Sequence, residues 1–413
     1  MPQLSNNKAL WVIFFTIFID MLGIGILIPV FPLLITHGSE FRVTPTDWSQ
    51  AESFIFAGWL LAIFPILQFF CTPVLGQLSD KYGRRKLLLI SISGTAFSYL
   101  LFAYGVLTKN IWLLFFSRML DGASGGNISI AQAVIGDISA AKDRAKNFGL
   151  VGVCIGLGFV LGPFIGGKLS DPTLLAAFNA ATPFWFAGVL SLINLMLVYF
   201  YLPETAMLKS ILKVDFNKPL HNIFKSFLIP NLRQIVPALF FYNAGFTFFT
   251  SFWGIILLNQ FGFTQGMVGN YFAYLGIMII FAQGGVVRRL SGKVTDYKVL
   301  YFSFGLTALC LFGYYLIPEH VHFWVYFIPP FLAIATALSK AFSSALITRT
   351  SDPKMLGEAM GVNSSANALA QAIPSLLSGY IAAQHDRLTV LIGALLIVVA
   401  GIYFIAYYRE KHT

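Results

Sequence analysis

Residues 76–86 read Gly76-Gln77-Leu78-Ser79-Asp80-Lys81-Tyr82-Gly83-Arg84-Arg85-Lys86 and sit between two apolar runs, 50–78 and 86–107. Each run can cross ~30 Å of hydrocarbon, which takes about 20 residues as helix. The polar stretch between them holds a carboxylate, a glycine and a basic cluster. Such a turn belongs at the cytoplasmic face of a membrane, where Lys and Arg collect.

Further runs of the same kind lie near 10–36, 111–138, 144–169 and 182–202, and then near 234–259, 266–289, 298–317, 322–349, 355–383 and 387–408. The expected fold is all-α, a polytopic membrane protein of twelve transmembrane helices. The longest polar interval, 203–233, opens with Pro203-Glu204-Thr205 and divides the chain into 1–202, a linker, and 234–413. Composition agrees. The 413 residues are 57% hydrophobic and 11% charged, where a soluble domain carries roughly 25% charged residues. Lipid is the expected solvent for most of the surface. The first run, Trp11 to Thr36, is too long for a signal-peptide core and reads as a retained helix.

A formal net charge of +10 raises nucleic acid as a partner, and the placement of the charges rejects it. With the N-terminus cytoplasmic, the inside segments hold 21 Lys and Arg and the outside segments four: Arg42, Lys109, Lys168 and Arg387. Arg118 and Lys340 fall within spans. This bias puts both termini and the linker in the cytoplasm; the expected location is the inner membrane of a bacterium. Cys71, Cys154 and Cys310 all lie in apolar runs and make neither a disulfide framework nor a metal set. No Gly-rich phosphate loop or catalytic triad stands out, so an enzyme is not expected. Neither a cofactor nor a metal is required.

An offset of 212 residues relates the two halves. It carries Ser139–Gly149 onto Ser351–Gly361, Leu78-Ser79 onto Leu290-Ser291, Lys81 onto Lys293 and Gly167 onto Gly379. With six helices per copy, both copies run in the same orientation, a parallel repeat about an axis along the membrane normal.

The order of residues in 76–86 resembles, at every position, the loop motif G-x-L-x-D-x-x-G-R-R/K of the major facilitator superfamily. The resemblance implies a conformational latch made of Gly76, Asp80, Gly83, Arg84, Arg85 and Asp137. Asp80 is then expected near the start of the eleventh helix, and Arg84 against Asp137. In the second half Gly292 replaces Asp80 and Arg288 replaces Gly76, so the motif does not recur there.

Gly149, Gly158, Gly162, Pro163, Gly166 and Gly167 follow the spacing G-x8-G-x3-G-P-x2-G-G. Small residues let helices approach closely in lipid. The spacing also resembles the fifth-helix motif of proton-coupled drug antiporters in this superfamily, which implies an antiporter. Arg118 followed by Gly122 resembles the superfamily's fourth-helix motif, whose arginine is tied to proton transfer. Asp121 stands where family members usually carry a neutral residue. Arg118 therefore has two readings: a structural pair with Asp121, three residues on and on the same face, or a part in proton coupling. Asp20, ten residues into the first run, is near mid-membrane, where it can load and release protons or serve as a merely structural acid. The segment Asp20 to Pro29, with Gly23 and Gly25, resembles the first helix of tetracycline exporters.

Lys340 lies mid-run beside Ser339, Ser343 and Ser344. It can pair with a carboxylate, meet an anionic or zwitterionic substrate, or titrate as a buried lysine. Asn243 and Gln68 are further candidates for a substrate cavity. The resemblance as a whole implies proton-coupled efflux of a small organic molecule, a drug or something tetracycline-like, by a monomer. The alternatives are a metabolite or siderophore transporter of the same fold, and a non-transporting receptor in which Asp20 and Arg118 would be dispensable.

Overall fold

A computed structural model of the chain describes residues 2–37, 39–139, 143–205, 230–319, 321–350 and 356–408, with isolated positions between 215 and 228. Hydrocarbon offers backbone groups no partner, so a spanning segment must close its own hydrogen bonds. Among the described residues every regular element is accordingly helical. They are α1 (Pro2–Ile35), α2 (Gln50–Tyr82), α3 (Arg84–Leu107), α4 (Ile111–Ser124), α5 (Asn127–Ile138), α6 (Arg144–Leu169), α7 (Thr182–Tyr201) and α8 (Pro230–Asn259). Then come α9 (Gln265–Phe281), α10 (Asp296–Leu316), α11 (His322–Phe327), α12 (Pro329–Thr350), α13 (Leu356–Ala382) and α14 (Leu388–Tyr407). The helix of α9 continues through a π-helical stretch, Ala282–Val287, into Arg288–Leu290.

Ten of these segments are long and apolar enough to cross a membrane unaided, with α11 and α12 counted as one. The other two spans fall short for separate reasons. The fourth, read in the sequence as one run over 111–138, breaks at Gly125-Gly126 into α4 and α5. Side chains of α2 cover the carbonyl freed there: Thr72 Oγ1 donates to Gly125 O at 3.1 Å and Gln68 Nε2 at 3.4 Å. The eleventh, α13, is long enough at 27 residues but carries Asn363, Ser364, Ser365, Asn367 and Gln371.

The chain packs as two compact units. The first is residues 1–46, 66–216 and 265–273, and the second is 47–65, 217–264 and 274–413. In the first unit α1 packs on α6, α7 and α5, and Ile13, Ile17, Leu88, Ile92, Ile130, Val134 and Val198 form its core. The α1–α6 contact is set by glycine. A Cβ on Gly162 would stand 2.6 Å from Leu22 O and 2.8 Å from Gly25 Cα, and one on Gly166 would stand 2.7 Å from Ile26 O. These neighbours are backbone, which cannot swing aside, so only glycine admits this approach.

In the second unit α8 packs on α14 and α13. Phe249, Trp253 and Tyr314 stack together and are almost fully buried. At one end of this unit Asp386 and Arg387 both hydrogen-bond to Gln260, and Arg387 also donates to Ile317 O at 3.0 Å. Burial raises the pKa of the Asp386 carboxyl, opposed by the Arg387 amide, the Arg387 charge and Gln260.

Candidate functional site

A chain of polar side chains crosses the apolar interior of the first unit. Asp20, on α1, is half-buried. Asn127, at the first residue of α5, donates to Asp20 Oδ1 at 2.9 Å and to Thr95 Oγ1 of α3 at 3.1 Å. The hydroxyls of Thr95 and Ser98 lie within hydrogen-bonding reach of the Asp121 carboxylate. Asp121 in turn pairs with Arg118 at 2.8 Å. Arg118 is 8% exposed, Asp121 5% and Asn127 2%. An ion pair with such little solvent holds only if both charges are well bonded, and the hydroxyls of α3 contribute that bonding. Tyr99 closes one side. Its hydroxyl sits where a Cβ on Gly23 would be, 1.8 Å away, so the glycine in Asp20-x-x-Gly23 gives the tyrosine its place.

Asp20 and Arg118 are thus linked through intermediaries. The residue bonded to Asp20 is Asn127, and the ion pair of Arg118 is with Asp121. Asn127, Thr95, Ser98 and Tyr99 were missed in the sequence. The signal for Asn127 was an amide in the middle of an apolar run, directly after the Gly125-Gly126 break.

Gly83 shapes the loop at 76–86. Gly83 has φ of +106°, a left-handed conformation that a side chain disfavours, and a Cβ there would meet the Glu204 carboxylate at 2.3 Å. That carboxylate instead accepts the Arg84 amide N–H at 2.7 Å. The Arg84 guanidinium then gathers Asp80 at 2.5 Å, Asp137 at 3.2 Å and Ser79 Oγ at 2.6 Å. Arg85 NH2 donates to Tyr199 O at 2.5 Å with its guanidinium over the Tyr199 ring. Gly76 has open space around it. Residues 351–355, just before the eleventh span, lie outside the described residues, and with them the expected partner of Asp80. Glu204 was not singled out in the sequence, although it opens the linker.

The second unit holds a pair that the degraded motif had concealed. Arg349 NH1 lies 3.1 Å from Asp296 Oδ2, with the Asp296 side chain buried. The 212-residue offset carries Arg84 onto Asp296 and Asp137 onto Arg349. The ion pair of the first half therefore recurs with its polarity exchanged.

The glycines of α6 divide by surroundings. Gly158, Gly162 and Gly166 press on the α1 backbone, and Pro163 lies against Gly25. Gly167 lies against Gly269, at the start of α9. Gly149 has nothing within 4 Å of where its Cβ would be. Of the cavity candidates, Gln68 is engaged with Gly125 O. Asn243 donates to Asn367 Oδ1 at 2.6 Å, and Lys340 is exposed at the middle of α12. Groups of three or more His, Cys, Asp or Glu able to hold a metal are absent among the described residues.

Comparison with known proteins supplies the family. The sequence profile of the Major Facilitator Superfamily matches residues 13–338. The class C tetracycline resistance protein of Escherichia coli is 30% identical over 366 residues, covering 87% of this chain and 85% of that protein. The class H tetracycline resistance protein of Pasteurella multocida is 27% identical over 426 residues, covering 98% of each. Among solved structures, the human organic anion transporter MFSD10 (TETRAN) superposes with a TM-score of 0.73 at 21% identity, covering 97% of this chain and 99% of that one. A D-xylose-proton symporter superposes at 0.79 with 15% identity, covering 98% of each. At these identities the two structures speak for the fold. A family match over most of the chain, on an all-helical membrane fold, places the protein: the chain belongs to the Major Facilitator Superfamily and is a multi-pass membrane transporter, not an enzyme.

Proposed function

We propose that this transporter exports a small organic molecule in exchange for protons, with Asp20 as the group that carries the proton. The observation that carries the reading is the chain Asp20–Asn127–Thr95–Asp121–Arg118, running from α1 through α5 and α3 to α4. Ionisable groups inside a membrane span are costly and rare, and where they occur they mark ion or substrate pathways. A carboxylate held by a neutral amide can be neutral or ionised without leaving a buried ion stranded. A carboxylate held by a guanidinium has its charge balanced by its partner. The two acids therefore divide the work: Asp20 changes state, and Asp121 with Arg118 fixes the local field. Alternating access between two halves, 1–202 and 234–413, supplies the movement, with both termini and the linker in the cytoplasm.

The tetracycline resistance proteins among the relatives make tetracycline the first substrate to try. In inverted vesicles holding an acid interior, adding tetracycline is expected to release protons at a rate above that of vesicles without the protein, read by a pH-sensitive dye. Absence of any such release, for tetracycline and for a panel of amphiphilic drugs, would sink the antiport reading. A cysteine placed at position 215 is expected to react with an impermeant maleimide in these vesicles and not in intact cells.

The loop at 76–86 is proposed as the latch of one conformation. Asp80 is half-exposed and, among the described residues, forms its ion pair with a neighbour four residues on, so its charge biases a conformation rather than holding the fold. Charge effects of this kind amount to about 0.3–2 kcal/mol, equivalent to a shift of up to some tens-fold between states. Asp80→Asn is expected to change the transport rate several-fold with an unchanged melting temperature. An unaltered rate in reconstituted vesicles would refute the latch.

A further inference from the structure

The second unit places a positive charge at mid-depth on an exposed face of α12. From residue 217 onward, acids occur only at Asp296, Glu319, Asp352, Glu358, Asp386 and Glu410; of those described, Asp296, Glu319, Glu358 and Asp386 lie at helix ends or in loops. Lys340 is the mid-span exception to this neutrality. It stands 11 residues into α12, Pro329–Thr350, so about 16 Å from either end at 1.5 Å per residue.

Its surroundings on α12 are polar. Along α12, Lys340, Ser344 and Thr348 are exposed one turn apart, with Ser343 half-buried beside them. The three hydroxyls bond back to their own helix: Ser343 and Ser344 to Lys340 O at 3.2 and 3.1 Å, and Thr348 to Ser344 O at 2.8 Å. Among the described residues they serve no neighbouring helix. A polar stripe topped by an ammonium is too costly to turn to hydrocarbon.

The depth of Lys340 is matched on two other helices. Ser339 lies within hydrogen-bonding reach of the Tyr242 hydroxyl of α8. The next residue of α8, Asn243, donates to Asn367 Oδ1 of α13 at 2.6 Å. Among the described residues the Asn367 Nδ2 group donates to none. Phe240, Phe241 and Phe246, half-buried, border Asn243 on α8.

We propose that Lys340, Asn243 and Asn367 form an anion-binding subsite, and that the carried molecule presents a carboxylate or comparable anionic group on an aromatic or apolar body. An ammonium and an amide N–H meet a carboxylate with charge-assisted hydrogen bonds, about twice as strong as neutral ones. A cation would meet the same lysine as repulsion. The subsite rests on the transporter reading and names its substrate class. It does not depend on proton exchange.

The test uses the purified, full-length protein in detergent and three probes on one ring system: 2-naphthoate, 2-naphthamide and 2-naphthylmethylammonium, titrated by calorimetry. The expected result is naphthoate binding at least about tenfold tighter than the amide, with the ammonium weakest; a tenfold preference equals about 1.4 kcal/mol. Lys340→Met is expected to erase the preference and Lys340→Arg to keep it. If Lys340→Met does not fold, Asn367→Asp serves in its place, and it is expected to turn the preference toward the ammonium. Equal binding of naphthoate and naphthamide by the natural protein, or an anion preference that survives Lys340→Met or Asn367→Asp, overturns the proposal. Naphthoate preference without substrate-driven proton movement leaves the subsite standing and removes only the antiport reading.

Discussion

Asp20→Asn is expected to bring substrate-driven proton movement down to the rate of empty vesicles while leaving substrate exchange in the absence of a gradient. The amide is nearly isosteric with the carboxylate. Its carbonyl oxygen still accepts the Asn127 N–H that now reaches Asp20 at 2.9 Å, so the local packing of α1 on α5 survives. What disappears is the ability to take up and release a proton. A carrier of protons must visit both a neutral and an ionised state in one cycle, and asparagine has only one. Fluorescence of a trapped pH dye on substrate addition gives the coupled rate, and radiolabelled counterflow gives the uncoupled one. If the variant moves protons at the natural rate, Asp20 is not the carrier and Asp121 inherits the role. If both rates vanish although the protein is folded, Asp20 belongs to substrate binding instead.

Legibility of this chain varied with the range of the interaction concerned. The spans were readable because hydrocarbon imposes a length and a composition on each, and the loop at 76–86 because its parts lie within one turn of chain. The break at Gly125-Gly126 was not foreseen inside the run 111–138. It depends on α2 lending Thr72 and Gln68 to a carbonyl more than fifty residues away, which no local pattern announces. Asn127 was hidden for the same reason. Its meaning comes from Asp20 and Thr95, on helices whose rotational setting a sequence does not state. The Asp296–Arg349 pair was hidden differently. Identity to the first-half motif is lost at Gly292 and Arg288, yet an ion pair is unchanged when its two ends are exchanged. A search for matching residues passes over it, while a search for complementary charge at the repeat offset finds it. The tenth and eleventh spans show a further limit. Lys340 was noticeable as a mid-run charge, but that it lies on an exposed face followed the packing, not the hydropathy, and Asn367 was passed over.

Breaking the Arg118–Asp121 pair is expected to cost more stability than any other single change to the first unit's polar chain. Both partners are nearly without solvent and stand 2.8 Å apart. Removing one partner of such a pair strands a buried charge, at about 3–5 kcal/mol. The two deletions should not be equal. A stranded carboxylate can be neutralised by a proton, whereas a guanidinium cannot lose one in a protein. Asp121→Leu is therefore expected to lower the melting temperature of the detergent-solubilised protein further than Arg118→Met. Joining the two changes removes both charges, and replacing a buried ion pair by apolar groups of similar volume is often neutral or better. The double variant is expected to melt within a few degrees of the natural protein, above either single variant. Its transport then separates strut from relay. We expect a folded double variant that binds substrate and no longer couples it to protons, because Asp20 would sit in a field that no longer depends on a fixed pair beside it. Single variants as stable as the natural protein would mean that the pair contributes nothing to the fold. A folded double variant with full proton coupling would confine the pair to a structural role and leave Asp20 to act alone.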